Sequence, residues 1–211
     1  MDLKNIRVDY KKSKINFDKL DKNPIDFFLK RFNEALAIDG NEANACVLST
    51  VSSDGKPSSR VVLLKAISDK GFTFFTNYKS DKSRDIENNN FVALNFYWPV
   101  LESQIRITGE ATKIDPKESD DYFKSRPRES QMGAWLSDQS KAIDLKYNFT
   151  DLLSVLESRF KGKEVARPLT WGGYCVNPNK IEFWQGRPSR FHDRLLYEYD
   201  GKEWSMRRLA P

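Results

Sequence analysis

An antiparallel β-barrel with helices inserted between its strands is the fold class this chain predicts. Three observations carry it. Short runs of apolar, β-branched and aromatic residues, about nine of them, recur along the 211 residues. Many are joined by hairpin-length turns, such as Ser53-Asp54-Gly55-Lys56 and Ser68-Asp69-Lys70-Gly71. The marks of the open parallel alternative are missing: there is no GxGxxG after a first strand, no GxxxxGK[ST], and no regular strand–helix alternation.

The elements follow in order. Residues 1–22 are polar with few apolar anchors and read as an arm that a ligand or partner would order. Asn23-Pro24 opens a helix, with Asn23 as N-cap and Pro24 in the first turn. Ile25, Phe28, Leu29, Phe32 and Leu36 keep helical spacing up to Gly40. Strands are expected over Ala45–Val51, Arg60–Ile67, Phe72–Thr76, Phe91–Trp98 and Gln104–Ile114, with a short polar helix over Ser80–Asn90. Helices follow from Asp115-Pro116 to about Arg126, over Glu129–Leu136, and over Thr150–Phe160 with Leu152, Leu153, Leu156 and Phe160 on one side. The last third predicts strands over Thr170–Val176, Ile181–Gln185, Leu195–Tyr199 and Trp204–Leu209. Residues 23–211 therefore read as one domain.

Composition excludes several classes. Two cysteines, Cys46 and Cys175, cannot make a disulfide scaffold, and with the single His192 they do not make a zinc site. Both are expected to be buried free thiols in a reducing cytosol. No apolar stretch approaches the roughly 18 residues of a membrane span, and the charged N-terminus lacks a signal-peptide core. A cytoplasmic protein is expected. The net charge of +5 suits an anionic partner or plain solubility.

Four clusters carry candidate chemistry. RVVLLK (60–65) brackets an apolar strand with two cations, and alternation puts Arg60 and Val62 on one face, Leu63 and Lys65 on the other. FTNYKSDKSR (75–84) collects hydroxyls and cations at a helix start, the composition of a phosphate site or of a solvated turn. In YFKSRPRESQMGAW (122–135), Tyr122, Arg126 and Ser130 are four apart and supply three donors suited to one phosphate, although Pro127 interrupts the helix. In EFWQGRPSRFHDRLLY (182–197), Arg190, His192 and Arg194 alternate as on one strand face. Such a row repels itself unless an anion lies between.

Together these clusters resemble the pyridoxine/pyridoxamine 5′-phosphate oxidase family. The resemblance runs from about Ile6 to Pro211 and includes FTN, WGGY (171–174), IEFWQG, RFHDR and the terminal RRLAP in order. It implies an antiparallel split β-barrel that is homodimeric and binds FMN at the subunit interface. The implied reaction oxidises pyridoxine 5′-phosphate or pyridoxamine 5′-phosphate to pyridoxal 5′-phosphate, with dioxygen as acceptor and hydrogen peroxide as product. By the same resemblance, FMN contacts fall on Arg60, Val61, Val62, Leu63, Leu64, Lys65, Phe75, Thr76, Lys82, Gln104, Gln139, Ser140, Trp184 and Arg194. Lys65, Tyr122, Arg126 and Ser130 match the clamp on the substrate phosphate. Arg190 and His192 match the residues over the substrate ring. Arg7 and Tyr10 match an arm segment that folds over bound substrate. About 169–211 matches the dimerisation and substrate segment. No metal, nucleic acid or membrane is implied.

The residue types suit those roles. Two phosphate dianions held close together demand many cations. The cofactor carries the electron chemistry, while the protein orients the rings. Rival readings are another split-barrel flavin reductase, which should lack Tyr122/Arg126/Ser130 together with Arg190/His192, and a pyridoxal phosphate carrier without turnover. A nucleic-acid binder would show aromatic platforms on an exposed basic sheet. One position departs from the family: Asp81 stands where an arginine is common. Either Asp81 turns to solvent or Lys79 supplies the missing cation.

Overall fold

The structure, a computed structural model, describes the chain except Arg7, Ser137, Asp138 and Tyr147; at positions 39, 41 and 149–152 it describes the backbone only. Among the described residues, eight strands form one antiparallel sheet. They are β1 (Ala45–Val51), β2 (Pro57–Ser68), β3 (Gly71–Asn77), β4 (Phe91–Trp98), β5 (Ser103–Lys113), β6 (Trp171–Gln185), β7 (Asp193–Tyr199) and β8 (Trp204–Arg208). Their order is β3-β2-β1-β4-β5-β6-β7-β8, and β3 also pairs with β6, so the first six strands close into a barrel. Phe72 faces Val176 and Asn77 faces Trp171 across the closing seam. Closure leaves no open edge in this part of the sheet, which is how a six-stranded antiparallel unit satisfies its backbone groups. The expected barrel is present.

Helix α1 (Pro24–Asp39) begins as its sequence requires. The Asn23 side chain accepts the Ile25 N–H at 2.8 Å, and Gly40 ends the helix at φ +60°. Its Phe28 is fully buried, edge-on to Phe72 and Phe96 at 4.9 and 5.2 Å, so α1 extends the barrel core. A buried phenylalanine of this kind contributes roughly 2–3 kcal/mol. Helices α2 (Asp81–Asn88), α3 (Pro116–Ser125), α4 (Arg128–Leu136) and α5 (Phe149–Arg159) complete the set. A second, smaller core joins Phe123, Met132, Leu156, Phe160 and Trp171, and it holds α3, α4 and α5 against the β3–β6 seam.

Two sequence expectations change. Thr170–Val176 and Ile181–Gln185 are not separate strands but one, β6. Asn177-Pro178-Asn179 reads as a turn. Its proline lies where the β5–β6 register shifts between Thr108 and Gly109, so the missing N–H interrupts no regular ladder. Gly109 permits the close approach there, since a Cβ would lie 2.0 Å from the Asn177 carbonyl oxygen. Second, Arg190, His192 and Arg194 do not share a strand face. Pro188–Arg190 forms a 3₁₀ turn with Ser189 and Arg190 at φ +55° and +64°, and β7 starts only at Asp193. Pro188 cannot donate to a ladder, so the chain coils before the strand begins. Both cysteines are free. Cys46 is buried, which pushes its thiol up to about 12, but Cys175 is only half-buried.

Candidate active site

Along β2 the alternation holds as far as the bulge between Leu64 and Ala66. Arg60 and Val62 are half-buried and Leu64 is buried, while Val61, Leu63 and Lys65 are exposed. Arg60, Val61, Val62, Leu63 and Lys65 form one wall of a cleft of about 950 Å³. Leu64 does not line it, because its side chain enters the barrel core. The other walls come from the end of β3, the first turn of α2, the α3–α4 junction, Gln139, Ser140 and Trp171.

One cluster in the cleft lies around Lys82. Its side chain is buried, and Nζ meets the Ser80 Oγ and the Gln139 Oε1, each at 3.2 Å. Neither partner is a carboxylate. Burial, followed by the neighbouring charge of Arg60, lowers Lys82 to about 8, with Asp81 opposing. Thr76 Oγ1 also donates to Gln139 Oε1 at 3.2 Å. A buried lysine beside a half-buried arginine, set among hydroxyl and amide groups, forms a site that an anion completes.

The second cluster stands on an aromatic floor. Tyr122 stacks on Phe75 at 4.0 Å, and Phe75 stacks on Trp171 at 5.3 Å. Arg126 lies over Trp171 at 4.6 Å, with one buried Nη1 that has no hydrogen-bond partner. Its burial lowers its pKa, as burial raises that of Tyr122. Pro127 does break the helix: α3 ends at Ser125 and α4 begins at Arg128. Tyr122, Arg126 and Ser130 nevertheless line the same cleft. An unpaired guanidinium nitrogen in a cleft has donors left for an anion.

Asp81 lines this cleft too, and its carboxylate pairs with Arg84 one turn on. Its backbone N–H donates to Ser140 Oγ at 3.3 Å. Lys79 is exposed and does not line the cleft. Asp81 is thus exposed and paired with Arg84, and Lys79 stands off the cleft wall.

The remaining predicted residues form a separate group. Gln104 lies opposite Trp184 in the β5–β6 register and donates to Asn95 Oδ1 at 2.8 Å. The Trp184 ring meets His192 at 4.7 Å, and Tyr10 of the arm packs edge-on against both rings. Tyr10 sits where a Cβ on Gly186 would come within 2.6 Å of its ring, so only glycine provides this seat. The arm is tethered by Glu102, which accepts the N–H groups of Lys11 and Lys12 at 2.8 and 2.9 Å. His192 Nδ1 accepts the Arg187 N–H at 3.1 Å, so the neutral ring carries its proton on Nε2. Burial and then Arg190 lower the His192 pKa, with Asp193 opposing. Arg190 is exposed. The anion beside Arg194 is a protein group: its Nε donates to Glu182 Oε1 at 2.9 Å, and Arg106 binds the same carboxylate. Burial works against ionised Glu182, yet these hydrogen bonds outweigh it and hold its pKa below the ordinary value. None of this second group lines the cleft. Arg7 falls outside the described residues.

Four residues here were not among those expected from the sequence: Trp171, although WGGY marks it, Thr50 and Ser58, which accept from the Arg60 guanidinium, and Asp85, which binds both hydroxyls.

A closed antiparallel barrel with a cationic, aromatic-floored cleft defines a binder of flat anionic ligands. The comparisons name the family. Residues 32–150 match the family model described as pyridoxamine 5′-phosphate oxidase, and residues 171–211 match pyridoxine 5′-phosphate oxidase C-terminal dimerisation region. The chain belongs to the pyridoxamine 5′-phosphate oxidase family. It is 49% identical to a pyridoxine/pyridoxamine 5′-phosphate oxidase of Rubrobacter xylanophilus, covering 100% of this chain and 97% of the relative. It is 48% identical to that of Haemophilus ducreyi over 100% of both chains. Among solved structures, PhzG from Burkholderia lata 383, in complex with tetrahydrophenazine-1-carboxylic acid, superimposes with TM-score 0.86 and 29% identity, covering 95% of this chain and 100% of that one. A pyridoxamine 5′-phosphate oxidase-related, FMN binding protein from Nostoc punctiforme shares the fold at TM-score 0.71 and 16% identity, covering 91% of this chain and 100% of that one.

Proposed function

We propose that this chain oxidises pyridoxine 5′-phosphate or pyridoxamine 5′-phosphate to pyridoxal 5′-phosphate, with FMN as cofactor and dioxygen as electron acceptor. One observation carries the reading: a single cleft contains two cation clusters with no carboxylate in direct contact among the described residues, Lys82 with Arg60, and Arg126 with its unpaired Nη1. Two ligands that each end in a phosphate fit that pattern. Arg60, Thr76, Lys82, Gln139 and Ser140 would hold the FMN phosphate, and Val61 to Lys65 would lie along the flavin. Lys65, Tyr122, Arg126 and Ser130 would hold the substrate phosphate. Bound there, FMN would supply the two-electron chemistry, accepting a hydride from the substrate and returning the electrons to dioxygen as hydrogen peroxide; with pyridoxamine 5′-phosphate, water would then hydrolyse the resulting imine and ammonia would leave.

The protein's own part is orientation. The aromatic floor holds the Arg126 guanidinium over Trp171 and beside Phe123, with Nη1 left for a ligand. His192 presents an Nε2–H donor rather than a base. We infer that Gln104, Trp184, Arg190, His192 and Arg194 close the cleft of a second copy in a homodimer. They lie outside this chain's own cleft, and most fall in the segment matching the dimerisation region.

The test uses purified protein. Flavin absorption bands near one per chain, bleached by pyridoxine 5′-phosphate without oxygen, together with a sedimentation mass twice that of the chain, are expected. A colourless protein that does not take up FMN, or a flavin that stays oxidised with either phosphate, overturns the reading.

A further inference from the structure

The Arg60 guanidinium does not lie free in the cleft wall. Its Nη1 donates to Thr50 Oγ1 at 2.7 Å and its Nη2 donates to Ser58 Oγ at 2.5 Å. Both hydroxyls in turn donate to the same oxygen, Oδ2 of Asp85, at 2.6 and 3.2 Å. Proton counting makes this directional. A hydroxyl has one hydrogen and two lone pairs, and an ionised carboxylate only accepts. Arg60 only donates, so Thr50 and Ser58 each turn a lone pair to it; Thr50 gives its hydrogen to Asp85, while Ser58 stands 3.2 Å from both Asp85 Oδ2 and Thr50 Oγ1. The residues come from three elements: Thr50 from β1, Ser58 and Arg60 from β2, Asp85 from α2. Thr50 is almost fully buried, so water does not readily replace its part. The Nε–H of Arg60 makes no hydrogen bond among the described residues and remains for a ligand.

We infer that Asp85 is a positioning residue that, through the hydroxyls of Thr50 and Ser58, locks the Arg60 guanidinium in the orientation that receives the cofactor phosphate. The inference rests on the FMN reading of the cleft. Its physical basis is pre-organisation. A guanidinium fork already held in place loses little freedom when the phosphate arrives, whereas a loose one must be ordered at the moment of binding. Asp85 also offsets part of the repulsion between Arg60 and Lys82, since its charge favours the ionised Arg60.

The test titrates full-length apoprotein with FMN and, separately, with riboflavin, which has the same ring but no phosphate. Asp85→Asn is expected to weaken FMN about tenfold and to leave riboflavin within about twofold. Ser58→Ala, at an exposed position that tolerates substitution, is expected to weaken FMN about threefold. In an Arg60→Lys background, Asp85→Asn should add less than about twofold, because the fork it orients is gone. Unchanged FMN affinity in Asp85→Asn and Ser58→Ala overturns the inference. So does an equal loss for riboflavin, or an undiminished Asp85→Asn effect in the Arg60→Lys background, since each points to a general structural role. If the wild-type apoprotein takes up no FMN, the cofactor reading itself falls; if wild type binds FMN and Asp85→Asn matches it, only the positioning role falls.

Discussion

Replacing Arg126 with methionine should separate substrate binding from both cofactor binding and stability. In the free protein the buried Nη1 of Arg126 has no partner, a defect that costs about 1–3 kcal/mol. Its stacking on Trp171 and Phe123, at 4.6 and 5.6 Å, returns about 0.5–1 kcal/mol per ring. The two nearly cancel, and methionine keeps apolar contact with the floor. The melting temperature of Arg126→Met apoprotein should therefore stay within about 4 °C of wild type. The substrate side is different. A phosphate oxygen on that N–H gains a charge-assisted hydrogen bond of about 1.5–3 kcal/mol, which converts to a KM raised roughly 10- to 150-fold. Steady-state kinetics with pyridoxine 5′-phosphate, an FMN titration and a thermal melt measure all three. FMN affinity should move less than about twofold, because the Lys82 cluster is untouched. A KM within about threefold of wild type, or a loss of FMN equal to the loss of substrate, refutes the assignment of Arg126 to the substrate phosphate.

Three further outcomes are expected. Asp81→Arg should tighten FMN by about 1 kcal/mol by removing a carboxylate from the cleft wall and adding a charged donor, while Lys79→Ala should leave FMN affinity unchanged because Lys79 is exposed and off the wall; titrations at low salt check both. Lys82 titrates near 8 in the folded protein, below the ordinary lysine value, so the unfolded chain binds more protons above that pH. Relative to Lys82→Met, wild-type apoprotein should gain stability as pH rises from about 8 to about 10.5, the unfolded lysine value. Its FMN affinity should fall over the same rise as the cation is lost, and denaturant melts and titrations against pH report the two opposite slopes. Finally, His192 is the chain's one histidine, so a long-range proton–nitrogen spectrum reads it without ambiguity. The neutral ring should carry its proton on Nε2 and titrate below the ordinary histidine value; a proton on Nδ1 would remove His192 from the role of fixed donor.

Much of this protein is determined locally and is legible in the order of its residues. The α1 cap is set by Asn23 and Pro24, the β1–β2 hairpin by the turn at Asp54-Gly55, and the faces of β2 by simple alternation, because each depends on neighbours a few residues away. The motifs that mark the family are local in the same sense. What only the tertiary structure decided are relations between distant segments. Arg190, His192 and Arg194 look like one strand face, yet Pro188 coils the chain first and Glu182 on β6 neutralises Arg194. Asp81 looks like a misplaced charge until Arg84 folds back on it. Thr50, Ser58 and Asp85 carry no motif at all: the β1–β2 hairpin sets Thr50 opposite Ser58, and only the packing of α2 beside β1 brings the Asp85 carboxylate to their hydroxyls next to Arg60. Hydrogen bonds and charges act over a few ångströms of space whatever their separation along the chain, so a pattern read along the sequence does not contain them.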